Sequence, residues 1–154
     1  MEIDGMNVSQ KCQYALRALL ELAKRAQTGP VKIADIARAQ AIPPKFLEGI
    51  LLELKKLGVV ESKRGPKGGY LLAMPPEELT VGKIIQFIDG PPAPVACVAG
   101  EHHTQCPLFG QCAFLPMWRR ARDAVANVYD QTTFQNLLEE DQRTTLPTAI
   151  TYQI

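Results

Sequence analysis

No run of about 18 consecutive apolar residues occurs in this chain, so the sequence offers no bilayer-spanning helix. Cysteine is scarce: four among 154 residues are too few for a disulfide scaffold. Histidine is scarcer still, with His102 and His103 side by side and no evident acid–base partner nearby. A Walker loop, a dinucleotide glycine fingerprint, a nucleophile elbow and a His-Glu zinc helix are all missing. An enzyme with a small-molecule substrate is therefore not expected, and neither is a membrane partner. The opening, MEIDGMNVSQKC, is acidic and polar, unlike a secretory signal. A reducing, cytoplasmic setting follows as the expectation, and there clustered cysteines point to metal or redox chemistry.

What is present is a globular composition, 46% apolar and 21% charged. The net charge of +1 hides an asymmetry. Residues 1–70 hold twelve Lys/Arg against seven Asp/Glu, and residues 71–154 hold five against nine. A basic half joined to an acidic half suggests a polyanion partner for the first.

Cys12, Ala15, Leu16, Leu19, Leu22, Ala23 and Ala26 recur at three- and four-residue steps, which predicts an amphipathic helix over 8–26 capped by Asn7 or Ser9. A short helix over 33–40, a turn at Ala41-Ile42-Pro43, and a helix from Pro44 to Leu57 follow. Phe46 or Leu47, then Ile50, Leu51 and Leu54, face inward, and Gly58 stops the helix. Extended runs at 59–62 and 70–72 flank KRGPKGG, a glycine-rich tip with three cations. Thr80 caps a fourth helix carrying Val81, Ile84, Ile85 and Ile88. Residues 90–116 break every period. A fifth helix over 116–131 shows Trp118, Ala121, Val125 and Val128 at the spacing of a helix–helix seam, so a homodimer is expected through it. Arg119, Arg120 and Arg122 beside that seam are expected to be solvated or ion-paired across the dimer. A short last helix holds Phe134, Leu137 and Leu138, and the tail from Asp141 is patternless.

Helix, helix, tight turn, helix and hairpin is the order of a winged helix-turn-helix, which lays the helix after the turn in the DNA major groove. The fold expected is mainly α. Residues 1–90 form the winged DNA-binding domain with its two-stranded wing, 91–115 an irregular cysteine loop, 116–140 the dimerisation helix region and 141–154 an irregular tail. The candidate contacts to double-stranded operator DNA are Lys45, Phe46, Glu48 and Lys55 on the third helix, with Lys63, Arg64, Gly65 and Lys67 on the wing. Glu48 is suited to accept from a cytosine amino group, the lysines to neutralise phosphates, and Arg64 to enter a minor groove or clamp a phosphate.

The run IPPKFLEGILLELKKLGVVESKRGPKGGYLLA, with VSQKCQYALRALLELA before it, resembles the signature stretches of the Rrf-two family of bacterial transcription regulators. The likeness covers about residues 6–135 and is sharpest in the wing. It implies a dimeric repressor or activator on a two-fold operator. It also places Glu48 at a base-reading carboxylate position and Arg64 at a minor-groove arginine position.

Cys97, Cys106 and Cys112 share one Pro/Gly-broken segment, with eight and then five residues between them. Three thiolates on such a loop suit a soft metal centre, and the spacing is too irregular for a zinc ribbon. By resemblance this centre is an iron–sulfur cluster, two-iron or four-iron, through which the regulator senses redox state, nitric oxide or cluster supply. The fourth ligand departs from the family patterns. Leu115 stands where IscR-like members have a histidine, and Gln13 where NsrR-like members have a carboxylate. His103 or His102 is the leading candidate, ahead of Glu101, Cys12 or an exogenous ligand. Cys12 itself lies on the first helix's apolar stripe, where core packing is its expected role. Two alternatives stand beside the cluster: a metal-free thiol–disulfide switch, and a cluster-free regulator of the CymR type that docks on another protein.

Overall fold

The computed structural model describes residues 7–100 and 106–145. Among them are six α-helices and one antiparallel hairpin. Helix α1 (Gln10–Lys24) is capped by Ser9, whose Oγ accepts from the Cys12 amide at 3.0 Å. It buries Cys12, Ala15, Ala18, Leu19, Leu22 and Ala23. Ala18 takes the place expected for Ala26, which lies past the helix end and is exposed.

Helices α2 (Ile33–Gln40) and α3 (Pro44–Leu57) pack against α1 and against each other. Pro44 opens α3 at the first turn, where a missing N–H costs nothing. Gly58 closes it in the left-handed region at φ 83°, donating to the Leu54 and Lys55 carbonyls. Of the two aromatic or aliphatic candidates, Leu47 is fully buried and Phe46 is 52% exposed.

Strands β1 (Val60–Lys63) and β2 (Gly69–Leu72) pair with Val60 opposite Leu72 and Lys63 opposite Gly69; β1 is shifted by one residue from the expected bounds, and β2 begins one residue earlier than expected. The wing is rooted by a second pairing: Val31 and Tyr70 exchange both backbone hydrogen bonds at 2.8 Å. Gly69 sits at φ 150°, and any Cβ there would collide with the Val31 carbonyl, so only glycine lets the wing close onto residue 31.

Helix α4 (Val81–Ile88) is capped by Thr80, which accepts from the Lys83 amide at 3.2 Å. Its last neighbour, Asp89, reaches back to the start of α1 and accepts from the Ser9 amide and hydroxyl at 2.8 and 2.5 Å. Among the described residues of the segment that follows, the one helical turn is the 3-10 turn Ala96–Val98. The segment is nonetheless packed, because Ala93 and Val98 are buried. Neither was visible as core in the sequence, since the prolines and glycines around them remove any period.

Helix α5 (Leu115–Gln131) buries no residue fully, whereas α6 (Phe134–Thr145) returns to the core with Phe134 completely enclosed. Residues 116–140 therefore part company at Thr132: α6 packs on α1, and Lys24 pairs with Asp141 at 3.0 Å. The tail expected to be patternless from Asp141 continues as helix to Thr145. Its start is fixed by a reciprocal cap, Thr133 amide to Asn136 Oδ1 at 2.9 Å and Asn136 amide to Thr133 Oγ1 at 3.1 Å. The same junction is stitched to the entrance of α4, with the Val81 amide on the Thr132 carbonyl and the Phe134 amide on the Leu79 carbonyl, both at 2.9 Å. Phe134→Ala is expected to cost about 3–5 kcal/mol through the cavity it leaves, read as a lower denaturant midpoint. A midpoint equal to that of the unsubstituted protein would show that α6 does not belong to the cooperative core.

Candidate nucleic-acid interface and cysteine cavity

The turn between α2 and α3 sets the aim of α3, and it is held by polar contacts rather than by glycine. Ala41 lies in the left-handed region at φ 51°, a conformation that costs a non-glycine residue roughly 1–2 kcal/mol. Two residues of α1, Arg17 and Glu21, oppose that cost. Arg17 donates from one guanidinium nitrogen to the carbonyls of Gln40 and Ala41. Glu21, buried among apolar side chains, accepts from Arg25 Nε at 2.6 Å and from Gln40 Nε2 at 2.8 Å. Both carboxylate oxygens are thereby satisfied, which a buried charge requires. Nothing in the sequence period marked Glu21, since a carboxylate on a helix is ordinarily solvated.

Beyond this lock, α3 presents Lys45, Phe46, Glu48, Gly49, Leu52, Lys55 and Lys56 to solvent. Lys45 Nζ stands 5.0 Å above the Phe46 ring, which shields part of that exposed aromatic. Lys55 does not hang free: its Nζ donates to Ser62 Oγ at 2.7 Å, tying the end of α3 to the first strand of the wing. Lys63, Arg64, Gly65 and Lys67 are all exposed at the wing. Eight candidate positions thus lie at the start of α3, at its end and at the wing, with Lys55–Ser62 joining the last two.

The three loop cysteines converge. Cys97, Cys106 and Cys112 line one cavity of about 170 Å³, walled otherwise by Val95, Phe109, Leu115 and Trp118. Cys106 is exposed and the other two are half-buried. Among the described residues no three His, Cys, Asp or Glu side chains stand close enough to hold a single metal ion. Leu115 contributes only an apolar wall. Gln13 is exposed and donates to the Val8 carbonyl at 2.9 Å. His102, His103 and Glu101 lie outside the described residues.

Cys12 is fully buried in the core, as its place on the stripe led us to expect. Burial, then the adjacent Asp89 charge and a hydrogen bond to that carboxylate, push its thiol from 9.0 up to about 12. The neutral thiol is thus the folded form. Its contribution to stability is whole below pH 9 and is lost as pH rises towards 12.

The site and fold define a winged helix-turn-helix with an attached cysteine loop. Residues 8–140 match the profile of the Rrf2 (Rrf-two) family, described as an iron-dependent transcriptional regulator. The transcriptional regulator CymR of Bacillus subtilis is 36% identical over 132 residues, spanning 86% of this chain and 89% of that one. The transcriptional regulator IscR of Aliivibrio salmonicida is 33% identical over 137 residues, spanning 89% and 80%. Among solved structures, T. potens IscR superposes with a TM-score of 0.73 at 26% identity, over 95% of this chain and 96% of the other. The chain belongs to the Rrf2 family and is a transcription regulator, not an enzyme. No helix among the described residues is long and apolar enough to cross a membrane.

Alkylation separates the two kinds of cysteine. Iodoacetamide at pH 8 is expected to modify Cys106 rapidly in the native protein and Cys12 only after denaturation. Native-state modification of Cys12, found by peptide mass mapping, would contradict its place in the core.

Proposed function

We propose that the protein is a homodimer that grips a two-fold operator through α3 and the wing, and that the cysteine loop adjusts this grip. The observation that carries the first half is the cationic wing locked to the recognition helix by Lys55 and to residue 31 by Gly69. Arg64 enters a groove or clamps a phosphate, Lys45, Lys63 and Lys67 neutralise phosphates, and Glu48 reads a base edge. Phe46 offers apolar contact beside Lys45. Dimerisation through α5 is supported by the seam Trp118, Ala121, Val125 and Val128. Val128 is 62% exposed and Met117 46%, while Tyr129 on another side of the helix packs on the core. Arg122 is taken by its own chain rather than by solvent, donating to the Val98 carbonyl at 3.2 Å and pairing with Asp123 at 2.7 Å.

The second half rests on the shared cavity of Cys97, Cys106 and Cys112. Three thiols with apolar walls fit an iron–sulfur cluster of two or four irons, and His102 or His103 is the candidate for its remaining ligand. Such a cluster, when bound, supplies a redox couple tuned by ligand set and exposure. The chain's own part is mechanical. The loop is rooted at Asp89, which holds the start of α1, and it ends at Leu115, the first residue of α5. Ordering the loop fixes the slope of α5 against α4, and across a two-fold axis that sets the spacing of the two recognition helices. Half-sites repeat at about one helical turn, so a small tilt changes affinity. Tenfold regulation needs only about 1.4 kcal/mol of difference between two states.

A second reading, a cluster-free regulator of the CymR type, is favoured by the 36% identity with CymR. A metal-free disulfide switch among the three cysteines is the third.

Anaerobic purification followed by an absorption spectrum, iron and sulfide analysis and operator titration separates them. Brown protein with iron and acid-labile sulfide, whose operator affinity changes on oxidation or cluster removal, is the expected result. In the same assay Cys106→Ala is expected to lose the metal and keep the helical content. Colourless wild-type protein whose thiol count falls on oxidation supports the disulfide switch, and equal operator affinity in every state removes the switch. Independently, Arg64→Ala is expected to weaken operator binding by roughly 1–3 kcal/mol if it reads a groove, and mainly to flatten the salt dependence if it meets a phosphate. Unchanged binding places the wing off the DNA.

A further inference from the structure

A second cavity lies in the channel between α4 and α5; none of its lining residues belongs to α3 or the wing, and it borders the cysteine cavity, sharing Cys97 and Phe109 with it. It encloses about 560 Å³, within the range of small-molecule sites. Its floor is apolar, with Ile85, Val98 and Ala126 among the lining residues. Its two ends carry opposite charge. At one end Asp130 overlies Gly82 in the first turn of α4, so closely that any Cβ at position 82 would collide with its carboxylate. At the other end, beside residues 97–100, are Arg119 and Arg122.

The charges are not equally available. Arg122 is spent on Asp123 and on the Val98 carbonyl. Among the described residues Arg119 and Asp130 have no hydrogen-bond or ion-pair partner. What remains is one free cation and one free anion on the same helix, eleven positions apart. At 1.5 Å per residue this is about 16 Å along the axis, less what the long arginine side chain spans. A free amino acid is too short to touch both. Three extended peptide residues reach about 10 Å between their termini. Between the two ends, Gln86 and Tyr129 line the walls, an amide and a hydroxyl that match the N–H and C=O groups of a peptide chain.

We propose that the α4–α5 channel is a binding site for a tripeptide-length zwitterion, its carboxylate on Arg119 and its ammonium towards Asp130. The site goes beyond the regulator reading and stands separately from it. Because α4 belongs to the DNA-binding core and α5 carries the seam, a ligand here spans the joint between them.

The test is calorimetric titration of the full chain with trialanine, with N-acetyl-trialanine, and with trialanine amide. Saturable binding of trialanine is expected, with at least a tenfold loss for each capped form. Arg119→Gln and Asp130→Asn, both exposed positions, are each expected to lose at least tenfold in affinity with an unchanged melting temperature. No saturable heat with trialanine overturns the site, as does equal affinity for the capped peptides or binding that survives both substitutions. Operator titration of the same preparation keeps the two readings apart. Protein that binds operator without binding trialanine overturns the channel site alone, and protein that binds trialanine but no operator overturns only the regulator reading.

Discussion

The apolar stripe of α1 is buried by five other elements at once, and the rest of the structure depends on that burial. Helices α2, α3, α4 and α6 and strand β2 all rest on this one helix. Its interior side chains run from Cys12 through Leu19 to Leu22 with no solvent access beyond 1% at those three. Burying a leucine of this kind is worth roughly 2 kcal/mol, and several together make α1 the frame against which other positions are set. A central helix also shortens every path between parts. The cysteine loop begins at Asp89 on the N-terminal end of α1, and the helix-turn-helix corner is held by Arg17 and Glu21 in its middle.

Polar contacts then do what apolar packing cannot. Packing brings α2 and α3 near α1 but tolerates small rotations. The carboxylate of Glu21, enclosed and doubly hydrogen-bonded, has one low-energy arrangement, and with Arg17 it fixes the strained corner at Ala41. The wing is treated the same way at two points, by Lys55 on Ser62 and by the backbone pairing of Val31 with Tyr70. The corner before α3 and the hairpin are thus held by directional bonds, while Lys63, Arg64 and Lys67 at the wing stay exposed.

The C-terminal half is built on another principle. Helix α5 is attached at both ends, to α4 through the Thr132–Phe134 junction and to the loop through Leu115, and is nowhere fully buried between. Between those ends it packs along α4 and on the 3-10 turn with side chains that all keep some exposure. The two cavities beside it share the wall formed by Cys97 and Phe109, so occupation of either bears on the same joint.

The element order, the bounds of α2 and α3, the cap at Thr80 and the stop at Gly58 were all legible in the chain, and the first cap was narrowed to Asn7 or Ser9, because period, capping chemistry and left-handed turns are local properties. So was the grouping of three cysteines in one segment, though only folding shows that they face a common cavity. Glu21, Ala93, Val98 and the return of Phe134 were not legible. Each depends on which distant residue arrives beside it, and a carboxylate, a small residue in a proline-rich loop or a lone aromatic carries no sign of that neighbour. The amino-acid order thus determined the helices, the hairpin and the chemistry available to them, while the tertiary structure alone decided which faces meet. Local periodicity says that a face must be covered, and only the closed three-dimensional packing says by what.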